Sequence, residues 1–117
     1  MQILLVEDNS DMRVLLQEML QMGGHEVEIG RTGEEAVSVL ESLSQLPEII
    51  ISDLTMPRMD GITLLNVVRE NPLWANVRFV IMSANVFDDR LTPETTAMLD
   101  GVLPKPFSLD DLASILN

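Results

Sequence analysis

Five side chains in this sequence have the means to do chemistry on an oxyanion. They are the adjacent acids Glu7 and Asp8, a third acid at Asp53, a hydroxyl at Ser83 and an ammonium group at Lys105. Carboxylates brought to about 4 Å repel each other by about 4 kcal/mol at an effective dielectric near 20. Such a set binds a cation or takes up protons. Oxygen ligands in a small cluster suit Mg²⁺, which keeps several waters and is satisfied by a few carboxylates plus a substrate phosphate. Lys105 would add positive charge where a further oxyanion sits, and Ser83 a hydroxyl donor. A carboxylate nucleophile, a divalent metal, a lysine and a hydroxyl together suit phosphoryl transfer. Catalysis there is mostly positioning and charge neutralisation.

Taken singly, each residue has a plain structural reading. Glu7 and Asp8 suit solvated acids before a helix N-terminus. Asp53 suits a strand-end turn, Ser83 a hydroxyl bonded to backbone, and Lys105 a solvated surface lysine. Their placement argues for more. Each site lies at or just beyond the C-terminal end of an expected strand: the first, third, fourth and fifth. In open α/β sheets ligands bind outside those carboxyl ends, at the switch in strand order.

The elements that must position them can be read along the chain. Gln2 to Val6 is a nearly continuous aliphatic run, the pattern of a strand buried on both faces. Ser10 to Gln21 carries Met12, Leu15, Leu16, Met19 and Leu20 at helical spacing, and Gly23-Gly24 supplies a stop. Glu26 to Ile29 alternates, as in a half-exposed edge strand. Thr32 and Glu35 form a T-x-x-E capping box ahead of Ala36, Val37, Leu40 and Leu43. Glu48 to Ser52 is the third strand. Asp60 caps a third helix carrying Leu64, Leu65 and Val68, which ends at or before Asn71-Pro72. Arg78 to Met82 is the fourth strand. A fourth helix falls within 87–99, with Thr92 as N-cap and Pro93 as first residue, leaving 85–91 as loop or a separate turn. Gly101 to Pro104 is a short last strand, placed at an edge because Pro104 has no N–H to donate. Ser108 caps a closing helix through Leu116, short enough to suggest that the natural chain continues. Five βα units in one run of residues 1–117 predict a single domain, a parallel sheet with helices on both faces and right-handed crossovers.

Composition narrows the function classes. With 117 residues and 46% hydrophobic content, one packed core is expected. The absence of cysteine excludes disulfide staples and cysteine-ligated zinc, and fits a reducing, cytoplasmic setting. No apolar run approaches the ~20 residues of a membrane span. The net charge of −12, from 7 basic and 19 acidic residues, disfavours direct contact with nucleic acid or an anionic membrane. It favours cations and basic protein patches.

Four segments together resemble the response-regulator receiver family, of the chemotaxis-regulator type: I-L-L-V-E-D at 3–8, D-L-T-M-P-R-M-D-G at 53–61, M-S-A at 82–84 and K-P-F at 105–107. The resemblance spans essentially the whole chain. It implies a (βα)5 flavodoxin-like fold with strand order 2-1-3-4-5. It implies that Asp53 accepts a phosphoryl group from a histidine kinase or histidine phosphotransfer protein, and that the domain acts on an output domain or protein partner. Asp8 and Asp53 would ligate Mg²⁺ with the backbone carbonyl of Thr55, and Glu7 would act through water. Ser83 would contact the phosphoryl group, and Lys105 would bridge it to Asp53. Lys105-Pro106 would be cis, and Thr55 and Asn85 would tune dephosphorylation. The partner would meet the first helix around Ser10, Asp11 and Val14, and the loop at Pro106-Phe107. Turnover of a small-molecule substrate is not expected.

Departures from the family pattern cluster on its usual output face, formed by the fourth helix, fifth strand and fifth helix. Val102 stands where a rotating aromatic is common, and Pro93 and Pro104 alter their elements. One alternative is a binding module that keeps the fold without being phosphorylated, for which Val102 speaks. Another is a dehalogenase-type phosphatase, which requires a second acid two residues after the nucleophile. Thr55 occupies that position.

Overall fold

Burial on both faces explains the aliphatic runs. The computed structural model describes residues 1–117, the whole sequence. In chain order the elements are β1 (Gln2–Val6), α1 (Ser10–Met22), β2 (Glu26–Gly30), α2 (Gly33–Ser42), β3 (Ile49–Asp53), α3 (Gly61–Glu70), β4 (Arg78–Ser83), α4 (Pro93–Ala97), β5 (Gly101–Pro104) and α5 (Leu109–Leu116). All strand pairs are parallel, in the order β2-β1-β3-β4-β5. The three central strands are the aliphatic ones, and alternating β2 lies at one edge. Pro104 closes the other edge strand, where its missing donor costs no ladder bond.

Pleating sends alternate side chains to opposite faces. Leu4, Val6, Ile50, Phe79 and Ile81 pack with Ala36 and Leu40 of α2 and Leu64, Leu65 and Val68 of α3. Ile3, Leu5, Ile49, Ile51, Val80 and Met82 pack with Leu16 and Leu20 of α1 and Leu112 and Leu116 of α5. Trp74 is buried in the first of these layers. No helix is long and apolar enough to cross a membrane.

Helix starts follow the expected chemistry, with small shifts. Asn9 is the N-cap of α1, its side chain accepting from the Met12 N–H. Thr32, Asp60, Thr92 and Ser108 cap α2 to α5. The expected box at α2 is half formed. Thr32 accepts from the Glu35 N–H, but the Glu35 carboxylate accepts from the Arg31 N–H, one residue upstream of the cap. Leu43, expected within α2, is its C-cap in extended geometry. The fourth helix is only the five residues after Thr92.

Two half-buried arginines make contacts that had no signal in the periodicity. Arg69 donates to the carbonyls of Met98, Ala75 and Val77 and to Asp100. Asp100 also accepts from the Phe79 N–H at the start of β4. Arg78 donates to the carbonyls of Ile115 and Leu116, satisfying the open end of α5.

Candidate functional site

The parallel sheet points every strand's carboxyl end the same way, so the β1, β3 and β5 tips meet. Ligand oxygens of Glu7, Asp8 and Asp53 all lie within 4.8 Å of one another. Lys105, just past β5, places its Nζ 3.1 Å from Asp53 Oδ1 and 3.9 Å from Glu7 Oε1. Asp53 ends β3, and its backbone is gripped from behind by α3. A Cβ on Gly61 would lie 2.5 Å from the Asp53 carbonyl oxygen and 2.7 Å from Ile81 Cδ1. Only glycine permits that approach, and the Gly61 N–H donates to the Leu54 carbonyl at 2.8 Å. On the other side Arg13 of α1 donates to the backbone carbonyls of Glu7 and Asp8 at 3.2 and 3.5 Å, steadying the β1–α1 turn. Four of the expected residues, Glu7, Asp8, Asp53 and Lys105, thus line one open cleft of about 510 Å³, together with Asn9, Asp11, Met12 and Leu15.

The electrostatics are unbalanced, with three acids against one ammonium. The Glu7 side chain is almost fully buried, and its Oε2 has no hydrogen-bond partner. Burial pushes its carboxyl up to about 8, with hydrogen bonding and repulsion from Asp53, and repulsion from Asp8, adding to the rise and Lys105 opposing it. An orphaned buried acceptor beside two further carboxylates calls for a proton or a cation. The all-oxygen donor set suits a hard divalent ion.

Ser83 and Thr55 stand differently. The Ser83 hydroxyl donates to the Asn85 carbonyl at 2.8 Å and accepts from the Asn85 N–H at 3.1 Å, so its bonding lies within its own turn. The Thr55 hydroxyl accepts from Arg90 Nη2 at 2.9 Å. Arg90 also donates to both oxygens of Asp88 and to Asp60. Hydrogen bonds from Arg90 hold the Asp88 carboxyl down to about 2. At Asp60 burial acts upward, but the Thr63 N–H and Arg90 outweigh it and the carboxyl falls below its usual value. Nothing in the sequence pattern around Arg90 announced these contacts. A lone arginine in a loop has no periodicity to read.

The family model for the response regulator receiver domain matches residues 3–117. This chain belongs to that family. The receiver domain is a module of two-component signalling, a switch worked by phosphorylation. It is 32% identical over 118 residues to a probable chemotaxis protein CheY of Rhizobium etli, covering 98% of this chain and 88% of that one. It is 36% identical over 115 residues to the sensor kinase CckA of Brucella abortus, where the match covers 98% of this chain but 12% of the kinase. Among solved structures it resembles the receiver domain of the Pseudomonas aeruginosa sensor histidine kinase PA1611, crystallised with a magnesium ion in its active-site cleft. There the identity is 29%, the TM-score 0.87 and the coverage 98% of this chain and 93% of that one. A receiver domain from Clostridium thermocellum, at 20% identity and a TM-score of 0.89, shares the fold. The expected (βα)5 architecture and strand order are those observed, and the Lys105-Pro106 bond is cis. Receiver domains bind Mg²⁺ at an acidic site, and Glu7, Asp8 and Asp53 form such a cluster here.

Proposed function

We propose that Asp53 accepts a phosphoryl group from a phosphohistidine on a histidine kinase or histidine phosphotransfer protein. The observation that carries this reading is the ammonium group of Lys105, 3.1 Å from Asp53 Oδ1 within a cluster otherwise made of acids. Asp8, Asp53 and the backbone carbonyl of Thr55 would hold Mg²⁺, with Glu7 acting through a water. When bound, the ion neutralises the charge of the phosphoryl oxygens and the carboxylates together.

The chain's own residues account for the rest. A carboxylate oxygen of Asp53 attacks phosphorus in line. The P–N bond to the donor imidazole breaks, its electron pair returns to the ring nitrogen, and the nitrogen takes a proton. The hold of Lys105 on Asp53 weakens as the carboxylate's charge passes to the phosphoryl group, and the ammonium follows the charge. Later a water attacks phosphorus, the P–O bond breaks, and Asp53 is restored with release of phosphate. The domain therefore resets itself without turning over a small-molecule substrate.

The donor's docking face would be the apolar cleft of about 350 Å³ beside the site, where Met12 and Leu15 of α1 face Pro106 and Phe107. On the output side, Ser83 turns from Asn85 to a phosphoryl oxygen and biases the surface of α4, β5 and α5. No ring can swing at Val102, so the change travels through the loop after Ser83. The test is a titration with beryllofluoride and Mg²⁺, followed by amide NMR. Shifts at Asp53, Ser83 and Lys105 are expected. A folded protein whose spectrum does not change would contradict the proposal.

A further inference from the structure

The segment between Ser83 and α4 is a chain of linked bonds. Ser83 is tied to Asn85 in both directions. The Asn85 side chain accepts from the Phe87 N–H, and its carbonyl accepts from the Asp88 N–H. Asp88 in turn accepts from the Arg90 N–H and grips the guanidinium with both oxygens, at 3.0 and 2.9 Å, while its carbonyl accepts from the Leu91 N–H. Thr92 then caps α4. These bonds link Ser83 to Leu91, the residue before the α4 cap.

Across from this loop lies the β3–α3 loop, residues 54–60, which carries Thr55 and the α3 cap Asp60. Only Arg90 joins the two by hydrogen bonds, reaching Thr55 Oγ1 at 2.9 Å and Asp60 Oδ2 at 3.3 Å. The opposite oxygen of Asp60 accepts from the Thr63 N–H at 2.9 Å, so the anchor on the far side is tied to the start of α3. A planar fork held at one carboxylate and docked on two further acceptors is a defined cross-brace.

We propose that Arg90 is a positioning residue that braces the β4–α4 loop in its resting place, so that this brace must open when Ser83 turns toward a phosphoryl group on Asp53. The inference rests on the receiver reading of Asp53 and adds a residue that sets how readily the switch moves. A ligand that needs the moved loop binds with an affinity scaled by the fraction of molecules already in that arrangement. Removing bonds made only at rest raises that fraction.

The test is the affinity for beryllofluoride at saturating Mg²⁺, read from the Ala84 and Asn85 amide shifts, in wild type, Arg90→Met, Asp88→Asn and the double variant. Methionine keeps much of the apolar stem. Asparagine keeps an acceptor for the Arg90 N–H. Arg90→Met should bind the analogue about 5- to 10-fold more tightly. Asp88→Asn should shift affinity less in the same direction, and the double variant should match Arg90→Met, because both changes break one brace. Hydrogen exchange at the Phe87 and Asp88 amides should speed up in the resting Arg90→Met protein. A purely structural arginine would lower the melting temperature and leave the affinity equal or weaker, and that result overturns the inference. Should Arg90→Met fail to fold, Asp88→Asn decides alone by the same criterion. If wild type itself does not respond, the receiver reading falls and takes the brace with it. If wild type responds and no variant binds more tightly, only the brace falls.

Discussion

The buried acid at the β1 tip makes the stability of the metal-free domain depend on pH in an unusual direction. Glu7 has a folded-state value of about 8 against 4.5 for the free side chain. Between those two values the folded form holds a proton that the unfolded form has lost, so stability falls as pH rises through the window and levels off above it. At 1.36 kcal/mol per unit the full shift corresponds to roughly 5 kcal/mol. Relaxation of the cleft lets water reach the ionised carboxylate, and this lowers the effect to about 2–3 kcal/mol. Glu7→Gln removes the titration while keeping shape and an acceptor, and adds a donor toward Asp53. Urea unfolding in EDTA at pH 5.5 and 8.5 measures the effect, with His25 and all other groups common to both proteins. Wild type should lose most of that 2–3 kcal/mol between the two pH values relative to Glu7→Gln, a midpoint difference of about 1–2 M urea. Excess Mg²⁺ should reverse the wild-type trend, because ligand carboxylates must be ionised to bind the ion. Parallel pH curves for the two proteins in EDTA would show that Glu7 holds no extra proton in the folded state.

Three further perturbations follow from single contacts. Lys105→Ala removes the only cation beside Asp53 and should slow phosphorylation by acetyl phosphate roughly tenfold or more, measured by the rate of adduct formation at saturating Mg²⁺. Gly61→Ala forces a methyl group against the Asp53 carbonyl and Ile81 and should destabilise by about 1–3 kcal/mol in thermal melts. Arg69→Met leaves Asp100 and three carbonyls without their shared donor and should cost about 2–4 kcal/mol in urea.

Why some of this was readable in the sequence and some was not comes down to local signals. Strands with both faces covered must be aliphatic throughout, so Ile3 to Val6 and Ile49 to Ile51 announced central strands, and the alternation at Glu26 to Ile29 announced an edge. Thr32, Asp60, Thr92 and Ser108 were legible as caps because a short oxygen side chain before a helix has one common use. The acids and Lys105 were legible through position, each just past a strand whose end could be seen. The resting bonds of Ser83 were not, since a hydroxyl can serve its own turn or a ligand with equal ease. Arg69 and Arg90 were invisible for a different reason. Their partners lie up to 31 and 35 residues away, and nothing local distinguishes an arginine that crosses between loops from one in solvent.

Phosphorylation at Asp53 is the step on which every other role in the site depends. Intact-mass spectrometry after treatment with acetyl phosphate and Mg²⁺, on wild type and Asp53→Asn, tests it most directly. One adduct of about 80 Da, the mass of a single phosphoryl group, is expected on wild type and none on folded Asp53→Asn. An adduct of equal yield on both proteins, or none on folded wild type, would contradict it.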